Sequence, residues 1–185
     1  MTSNIPNLVY LAPTTVEEYM AMLDWAVEQN KHPVIIRQPK EMIHSSLPID
    51  TDYSNLNTYK IANQGNSVAI IAEGSFFELG KNLALELNKH NINPTLINPR
   101  YLTGIDENCL ENLKSNHQIV VTLEDGELDG GFGEKITRFY GTSNMKVLNY
   151  GSFKEFTDRA NLDDLYNRYR LKPELIVKDI MAILK

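Results

Sequence analysis

Several polar side chains that could bind a ligand come directly after short, uninterrupted apolar segments. They are Glu73, Arg100, Glu124, Asp125 and Tyr150. If those segments are parallel strands, their carboxyl ends meet at one edge of a sheet, which is where open parallel sheets bind ligands. Arg100 is the only cation that this rule selects, and its planar fork of donors suits phosphate or carboxylate. The residue types alone favour the alternative that Arg100 pairs internally with Glu73, Glu124 or Asp125.

The glycine-rich loop 125–133 (DGELDGGFG) leads into a predicted helix, and helix N-termini bind anions. The loop matches neither the dinucleotide-binding nor the Walker pattern, and Asp125, Glu127 and Asp129 would repel phosphate. We therefore interpret its glycines as permitting positive φ and close packing of strand against helix. The loop lacks the bidentate glutamate of a calcium loop, and the four histidines have no metal-ligand spacing. No metal site and no catalytic residue is predicted.

Composition narrows the class of protein. The 185 residues carry a formal net charge of -6, which gives no reason to bind nucleic acid or an anionic membrane surface. No apolar run approaches the roughly 20 residues of a membrane helix, and the N-terminus lacks the pattern of a secretory signal. The single cysteine, Cys109, cannot form an internal disulfide and has no basic neighbour to activate it. A cytoplasmic location is the expectation.

Strands alternate with helices along the chain, which predicts an α/β fold with a mainly parallel five-stranded sheet. The predicted strands are 7–11, 33–36, 59–63, 67–72, 95–98, 118–123 and 146–149. Helices are predicted to begin at Thr14 with Glu17 as capping partner, at Ser75 with Glu78, at Asp106, at about 134, at Asn161 or Asp158, and at Pro173. Because both faces of such a sheet are covered, its strands read as continuous apolar runs.

Three segments differ in character. Residues 1–39 contain only strand, helix and strand, too little to bury a core. Residues 40–58 are polar, aperiodic and interrupted by Pro48, so they are predicted to be a linker. Residues 59–185 contain a complete α/β unit.

A resemblance to a known family rests on several segments taken together, in order. They are IPNLVYLAPTTVEEYMAML, HPVIIRQP, VAIIAEGSFFELG, PTLINPRYLTGIDE, HQIVVTLEDGELDGGFGEKI and KVLNYG. With these segments the chain resembles the C-terminal portion of the 1-deoxy-D-xylulose-5-phosphate synthases, thiamine-diphosphate-dependent enzymes of the transketolase group. The resemblance implies that 1–39 ends a pyrimidine-binding domain as a partial βαβ segment, and that 59–185 is a three-layer transketolase C-terminal domain.

The family's reaction joins pyruvate to glyceraldehyde 3-phosphate with release of carbon dioxide, for isoprenoid precursor synthesis. It uses thiamine diphosphate and magnesium. The family's Gly-Asp-Gly cofactor motif is absent from this chain, and its catalytic glutamate would precede the first residue. The resemblance therefore implies no cofactor-binding residue here.

One site residue carries over from the family. The family's arginine that helps hold the sugar phosphate, in a pattern like Asp-x-Arg-Phe, is matched by Arg100. A second phosphate-binding arginine of the family corresponds to Met20, and a histidine further along the same helix corresponds to Glu28. These departures suggest a diverged paralogue or a different acceptor. Arg37 matches a strand-end position that we interpret as structural.

Two classes of function follow. The first is a C-terminal section of such a synthase, inactive alone, that forms a homodimer and works with the N-terminal remainder or a separate cofactor-binding chain. The second is a non-catalytic dimerisation or ligand-binding module. An enzymatic variant of the first is a β-type subunit, of transketolase or 2-oxoacid dehydrogenase kind, that needs a partner chain.

Overall fold

A computed structural model describes residues 5–38 and 43–184. The strands are β1 (Val9–Leu11), β2 (Val34–Ile36), β3 (Lys60–Asn63), β4 (Ser67–Ala72), β5 (Thr95–Asn98), β6 (His117–Glu127) and β7 (Lys146–Ser152). The helices are α1 (Val16–Glu28), α2 (Phe77–Asn88), α3 (Glu107–Leu113), α4 (Phe132–Tyr140), α5 (Leu162–Arg168) and α6 (Pro173–Ile183), and a 3-10 turn spans Gly74–Phe76. In these described ranges no helix is long and apolar enough to cross a membrane.

The main sheet has five strands in the order β3-β5-β4-β6-β7. Strands β4 to β7 run parallel and β3 is an antiparallel edge, which confirms the predicted fold class. Side chains of β4 alternate between two cores. Val68 and Ile70 face the core formed with α2 and α6, whereas Ala69 and Ile71 face the core formed with α3 and α4. The uninterrupted apolar strands are thus explained by burial on both faces.

A second sheet contains only β1 and β2, which are parallel and joined by α1. The other edge of β1 meets the segment after β5, where Ala12 N donates to Arg100 O at 2.8 Å and Leu102 N donates to Tyr10 O at 2.8 Å. A third core lies beneath α1 and includes Tyr53, which is 1% exposed. The segment predicted to be a linker therefore packs Tyr53 into this core, and the three domain boundaries stay predictions.

Two predicted helix caps are wrong. The Thr15 hydroxyl accepts from Glu18 N, so the N-cap of α1 lies one residue later than predicted. The Glu18 carboxylate accepts from Thr14 N, one residue before this cap. Burial of Glu18 on the core side fixes this register. The Ser75 hydroxyl donates to Asp125 at 2.6 Å instead of capping a helix, and a 3-10 turn precedes α2.

Gly80 allows α2 to approach the sheet closely. A Cβ at this position would lie 2.8 Å from Ala72 Cβ, which the strand holds fixed. We expect Gly80→Ala to lower the free energy of unfolding by about 1–3 kcal/mol, because overpacking exceeds the gain of about 1 kcal/mol in helix propensity. Chemical denaturation of both proteins measures the difference.

The matched control is Gly141→Ala, where the nearest atom to a new Cβ is a carbonyl oxygen at 3.4 Å. This variant should stay within about 0.5 kcal/mol of the parent. Equal stability of the two variants would contradict the close-packing explanation.

Candidate functional site

The carboxyl edge of the main sheet brings together the carboxylates that the sequence placed there. Glu73 follows β4 and is 3% exposed, and Glu124, within the extended β6, is 2% exposed. Asp125 comes next, with its side chain 41% exposed. Buried carboxylates require charge or hydrogen-bond compensation, so the partners of Glu73 and Glu124 determine what this edge can do.

Arg37 compensates two of these carboxylates. It leaves the end of β2, and its Nη1 donates to Glu73 Oε1 at 2.8 Å while its Nη2 lies 3.4 Å from Asp125 Oδ2. The expectation that Arg100 is the only cation at this edge is therefore wrong. The sequence did contain evidence for Arg37. The segment IIRQP places an arginine directly after an apolar strand, which is where open parallel sheets carry their ligand-binding residues.

Glu124 compensates its burial through the backbone of α4. Its carboxylate accepts from Phe132 N at 2.7 Å and from Gly133 N at 3.1 Å. A Cβ at Gly131 would lie 2.1 Å from Glu124 Oε2, so that glycine is needed for the close approach. The anion site that a helix N-terminus offers is thus filled by a carboxylate of the same chain. This supports the structural interpretation of the glycine-rich loop.

A cavity of about 400 Å³ lies between the first unit and this edge. Its wall combines the two buried glutamates and Arg37 with Tyr10 and Leu102. Among the described residues, Glu73 Oε2 has no hydrogen-bond partner, although its atom is buried. Burial raises the pKa of Glu73 to about 7, against the opposing effect of Arg37. Burial likewise raises the pKa of Glu124 to about 7, against the two backbone N–H donors.

Arg100 lies apart from this cavity and is 7% exposed. Its Nε and Nη2 donate to Thr58 O at 3.1 and 2.7 Å, and its Nη1 donates to Asp50 Oδ2 at 2.8 Å. Its guanidinium carbon lies 5.8 Å from the ring centroids of both Tyr53 and Tyr101. The guanidinium is therefore paired internally, with Asp50 and not with Glu73, Glu124 or Asp125.

The backbone of Arg100 is held in an unusual conformation. Its φ of 60° is in the left-handed region, where residues other than glycine are uncommon. The Asn98 side chain accepts from Arg100 N at 3.0 Å and donates to the buried Glu18 carboxylate at 3.0 Å. This relay fixes the direction in which Arg100 leaves β5. A cavity of about 490 Å³ opens beside it, lined also by Asp50 and Asp52.

Met20 and Arg100 have different surroundings. Arg100 stacks on Tyr53, whose ring contacts Trp25 on the buried face of α1 at 6.1 Å between centroids. Met20 projects from the opposite face and is 48% exposed. Glu28 is also exposed, at the last turn of α1.

The residues at this edge do not fit a thiamine diphosphate site. A diphosphate needs backbone N–H donors or free cations, yet the α4 N-terminus is filled by Glu124 and Arg37 is paired with two carboxylates. Magnesium needs several oxygen ligands, and the described ranges contain no group of three acidic, histidine or cysteine side chains placed to hold a metal ion.

The buried Glu73 predicts a dependence of stability on pH. Because its pKa is higher in the folded protein than in the unfolded chain, the folded protein binds more protons between about pH 4.5 and 7, and stability falls as pH rises through that range. Glu73→Gln keeps the shape and an acceptor for Arg37 but cannot ionise. This substitution should reduce the loss of folding stability between pH 4.5 and 7 by about 1–3 kcal/mol, since one pKa unit corresponds to about 1.4 kcal/mol.

Urea denaturation at a series of pH values between 4.5 and 8 measures this effect. Glu127→Gln, at an exposed carboxylate of the same cavity, is the control and should reproduce the parent's pH dependence. Identical curves for the parent and Glu73→Gln would show that Glu73 titrates alike in both states.

Comparison with curated proteins finds 1-deoxy-D-xylulose-5-phosphate synthases. The enzyme of Clostridium tetani is 32% identical over 184 residues, and that of Clostridium acetobutylicum is 33% identical over 184 residues. The alignments cover 98% and 97% of this chain, but only 29% of each relative. The chain thus spans less than a third of the length of the curated relatives that it matches.

Comparison with solved structures finds the same fold. A split-gene transketolase, described as an inactive β4 tetramer, aligns with a TM-score of 0.80 and 20% identity over 96% of this chain and 57% of its own. A transketolase variant from Pichia stipitis aligns with a TM-score of 0.70 and 14% identity over 96% of this chain and 25% of its own.

The family assignment follows from a sequence profile. Residues 57–176 match the family described as "Transketolase, C-terminal domain", which includes every strand of the five-stranded sheet and the carboxyl edge described above. This chain belongs to the transketolase C-terminal domain family.

Proposed function

We propose that this chain supplies the C-terminal section of a thiamine-diphosphate-dependent synthase that joins pyruvate to glyceraldehyde 3-phosphate. The observation that carries the proposal is the alignment of nearly the whole chain with less than a third of the synthases' length. In this function the cofactor and magnesium bind to a separate section. The cofactor would supply the means of breaking the carboxyl bond of pyruvate, and the present chain would hold the acceptor substrate.

The seam between the two units supports this role. Arg37 ties β2 to the carboxyl ends of β4 and β6, and Glu18 ties α1 to Asn98 at the end of β5. Both contacts involve a buried carboxylate. Separating the units would therefore leave these carboxylates without their hydrogen-bond or ion-pair partners. These contacts hold the βαβ unit in a fixed position on the main domain, which is the arrangement that a section of a larger enzyme requires.

Arg100 is the residue that we propose for the substrate phosphate. Three of its N–H donors are used by Thr58 and Asp50, and a guanidinium carries five. Asp50 is 50% exposed in its side chain and lies at the open cavity, so a phosphate can displace it without disturbing Thr58. The stacked tyrosines and the Asn98 relay hold the guanidinium in place for this exchange.

Reconstitution tests the function. The chain is mixed with the cofactor-binding section encoded by the same organism, thiamine diphosphate, magnesium, pyruvate and glyceraldehyde 3-phosphate, and carbon dioxide release and the sugar product are measured. We expect turnover when both sections are present and none from either alone. Turnover by this chain alone, or none from the mixture, would overturn the proposal.

In the reconstituted enzyme, Arg100→Ala should weaken binding of glyceraldehyde 3-phosphate. Loss of a charge-assisted hydrogen bond costs about 1.5–3 kcal/mol, which corresponds to roughly a 10- to 150-fold rise in the Michaelis constant for that substrate. The Michaelis constant for pyruvate should stay constant. Arg138→Ala, at an exposed arginine on α4, is the matched control. If both variants have the same Michaelis constant for glyceraldehyde 3-phosphate, Arg100 does not bind the substrate phosphate.

A further inference from the structure

Helix α1 is apolar on two opposite faces. One face carries Met22 and Trp25, which are buried in the core beneath the helix. The opposite face carries a stripe spaced at i, i+4, i+7 and i+11, which we call the outer stripe. It consists of Val16, Met20, Leu23 and Val27.

Three of the four side chains of the outer stripe are exposed in the described structure, and Val16 is half-buried. Val27 is 77% exposed, Met20 48% and Leu23 36%. A helix on the surface of a soluble protein normally carries one apolar stripe and a polar opposite face. Contiguous exposed apolar side chains are typical of surfaces that bind another molecule.

The strand next to α1 is incomplete in the same way. Within the described ranges β2 pairs only with β1, and its three residues are half-buried. Parallel sheets are covered on both faces and seldom consist of two strands. The exposed stripe and the edge of β2 therefore lie on the same two-stranded unit.

Charge distinguishes between possible occupants of the outer stripe. Asp24 and Glu28 are exposed and border the stripe on one side. In an antiparallel two-fold pairing of two copies, these acidic borders would lie on the same side, and each copy carries a net charge of -6. Like charges placed along one interface oppose that pairing. The complementary occupant is an apolar ridge bordered by lysine or arginine.

We propose that the outer stripe binds a helix of the separate cofactor-binding section. That helix carries an apolar ridge bordered by lysine or arginine. This inference rests on the proposed function, because that function supplies the second section. Met20 belongs to this apolar surface, and Glu28 to its acidic border. The face of α1 would then hold the two sections together instead of contacting substrate.

The test measures binding of this chain to the cofactor-binding section of the same organism by titration calorimetry. Val27→Asp should weaken binding by at least about tenfold, because it places a charge in an apolar contact. Glu28→Lys should also weaken binding, by several-fold at low salt and less at high salt, because it opposes the basic border. Both side chains are exposed, so thermal unfolding of the isolated variants should match the parent.

Leu85→Asp is the matched control. Leu85 is a 63% exposed apolar residue on α2, away from the outer stripe, and its replacement should leave the dissociation constant unchanged. Suppose that the parent and the Val27→Asp and Glu28→Lys variants all bind the cofactor-binding section equally well while the parent mixture turns over. That result would overturn this inference and leave the proposed function intact.

Two other outcomes also decide the matter. Absence of both binding and turnover in the parent mixture would overturn the inference together with the proposed function. Sedimentation of this chain alone provides the remaining comparison. If the chain alone forms a dimer and Val27→Asp dissociates it, the outer stripe binds a second copy and the inference is overturned. Reconstitution would still test the proposed function.

Discussion

Three buried carboxylates hold this structure together where its strands end. Glu18, Glu73 and Glu124 are each less than 5% exposed, and a carboxylate in such surroundings requires partners. Glu18 finds them in Thr14 and Asn98, Glu73 in Arg37, and Glu124 in the first amides of α4. Because Glu18 and Arg37 come from the βαβ unit while Asn98 and Glu73 come from the main domain, the same contacts that satisfy the charges also lock the two units together.

This compensation limits the chemistry of the carboxyl edge. The positive features that such an edge normally offers to an anion are a helix N-terminus and a nearby arginine. Here Glu124 fills the first, and Glu73 and Asp125 share the second. The edge joins two parts of the protein. The guanidinium of Arg37 lines the cavity there but is paired with carboxylates of this edge, whereas the guanidinium of Arg100 borders a separate cavity one strand away.

Much of the fold could be predicted from local pattern. The apolar segments and their alternation with helical stripes predicted the mainly parallel sheet, and Asp106 and Pro173 were correctly predicted to begin helices. The antiparallel direction of β3 was not predicted. Thr14 and Ser75 were wrongly predicted as caps. Both errors share a cause, since a hydroxyl near a helix start has several acceptors and donors within reach, and burial of Glu18 and the reach of Asp125 decided between them.

Local sequence pattern was enough to predict the α/β class, the strands, the family resemblance and the residues that follow each strand. Which of those residues meet depends on the tertiary structure. Arg37 and Glu73 are 36 residues apart, and Arg100 and Asp50 are 50 apart, so no local spacing rule connects either pair. The spacing of apolar residues along a helix or strand indicates which of its sides is buried, because each element has its own buried side. The pairing of charges depends on how the elements are arranged around the sheet, and that arrangement placed Arg37, not Arg100, among the carboxylates.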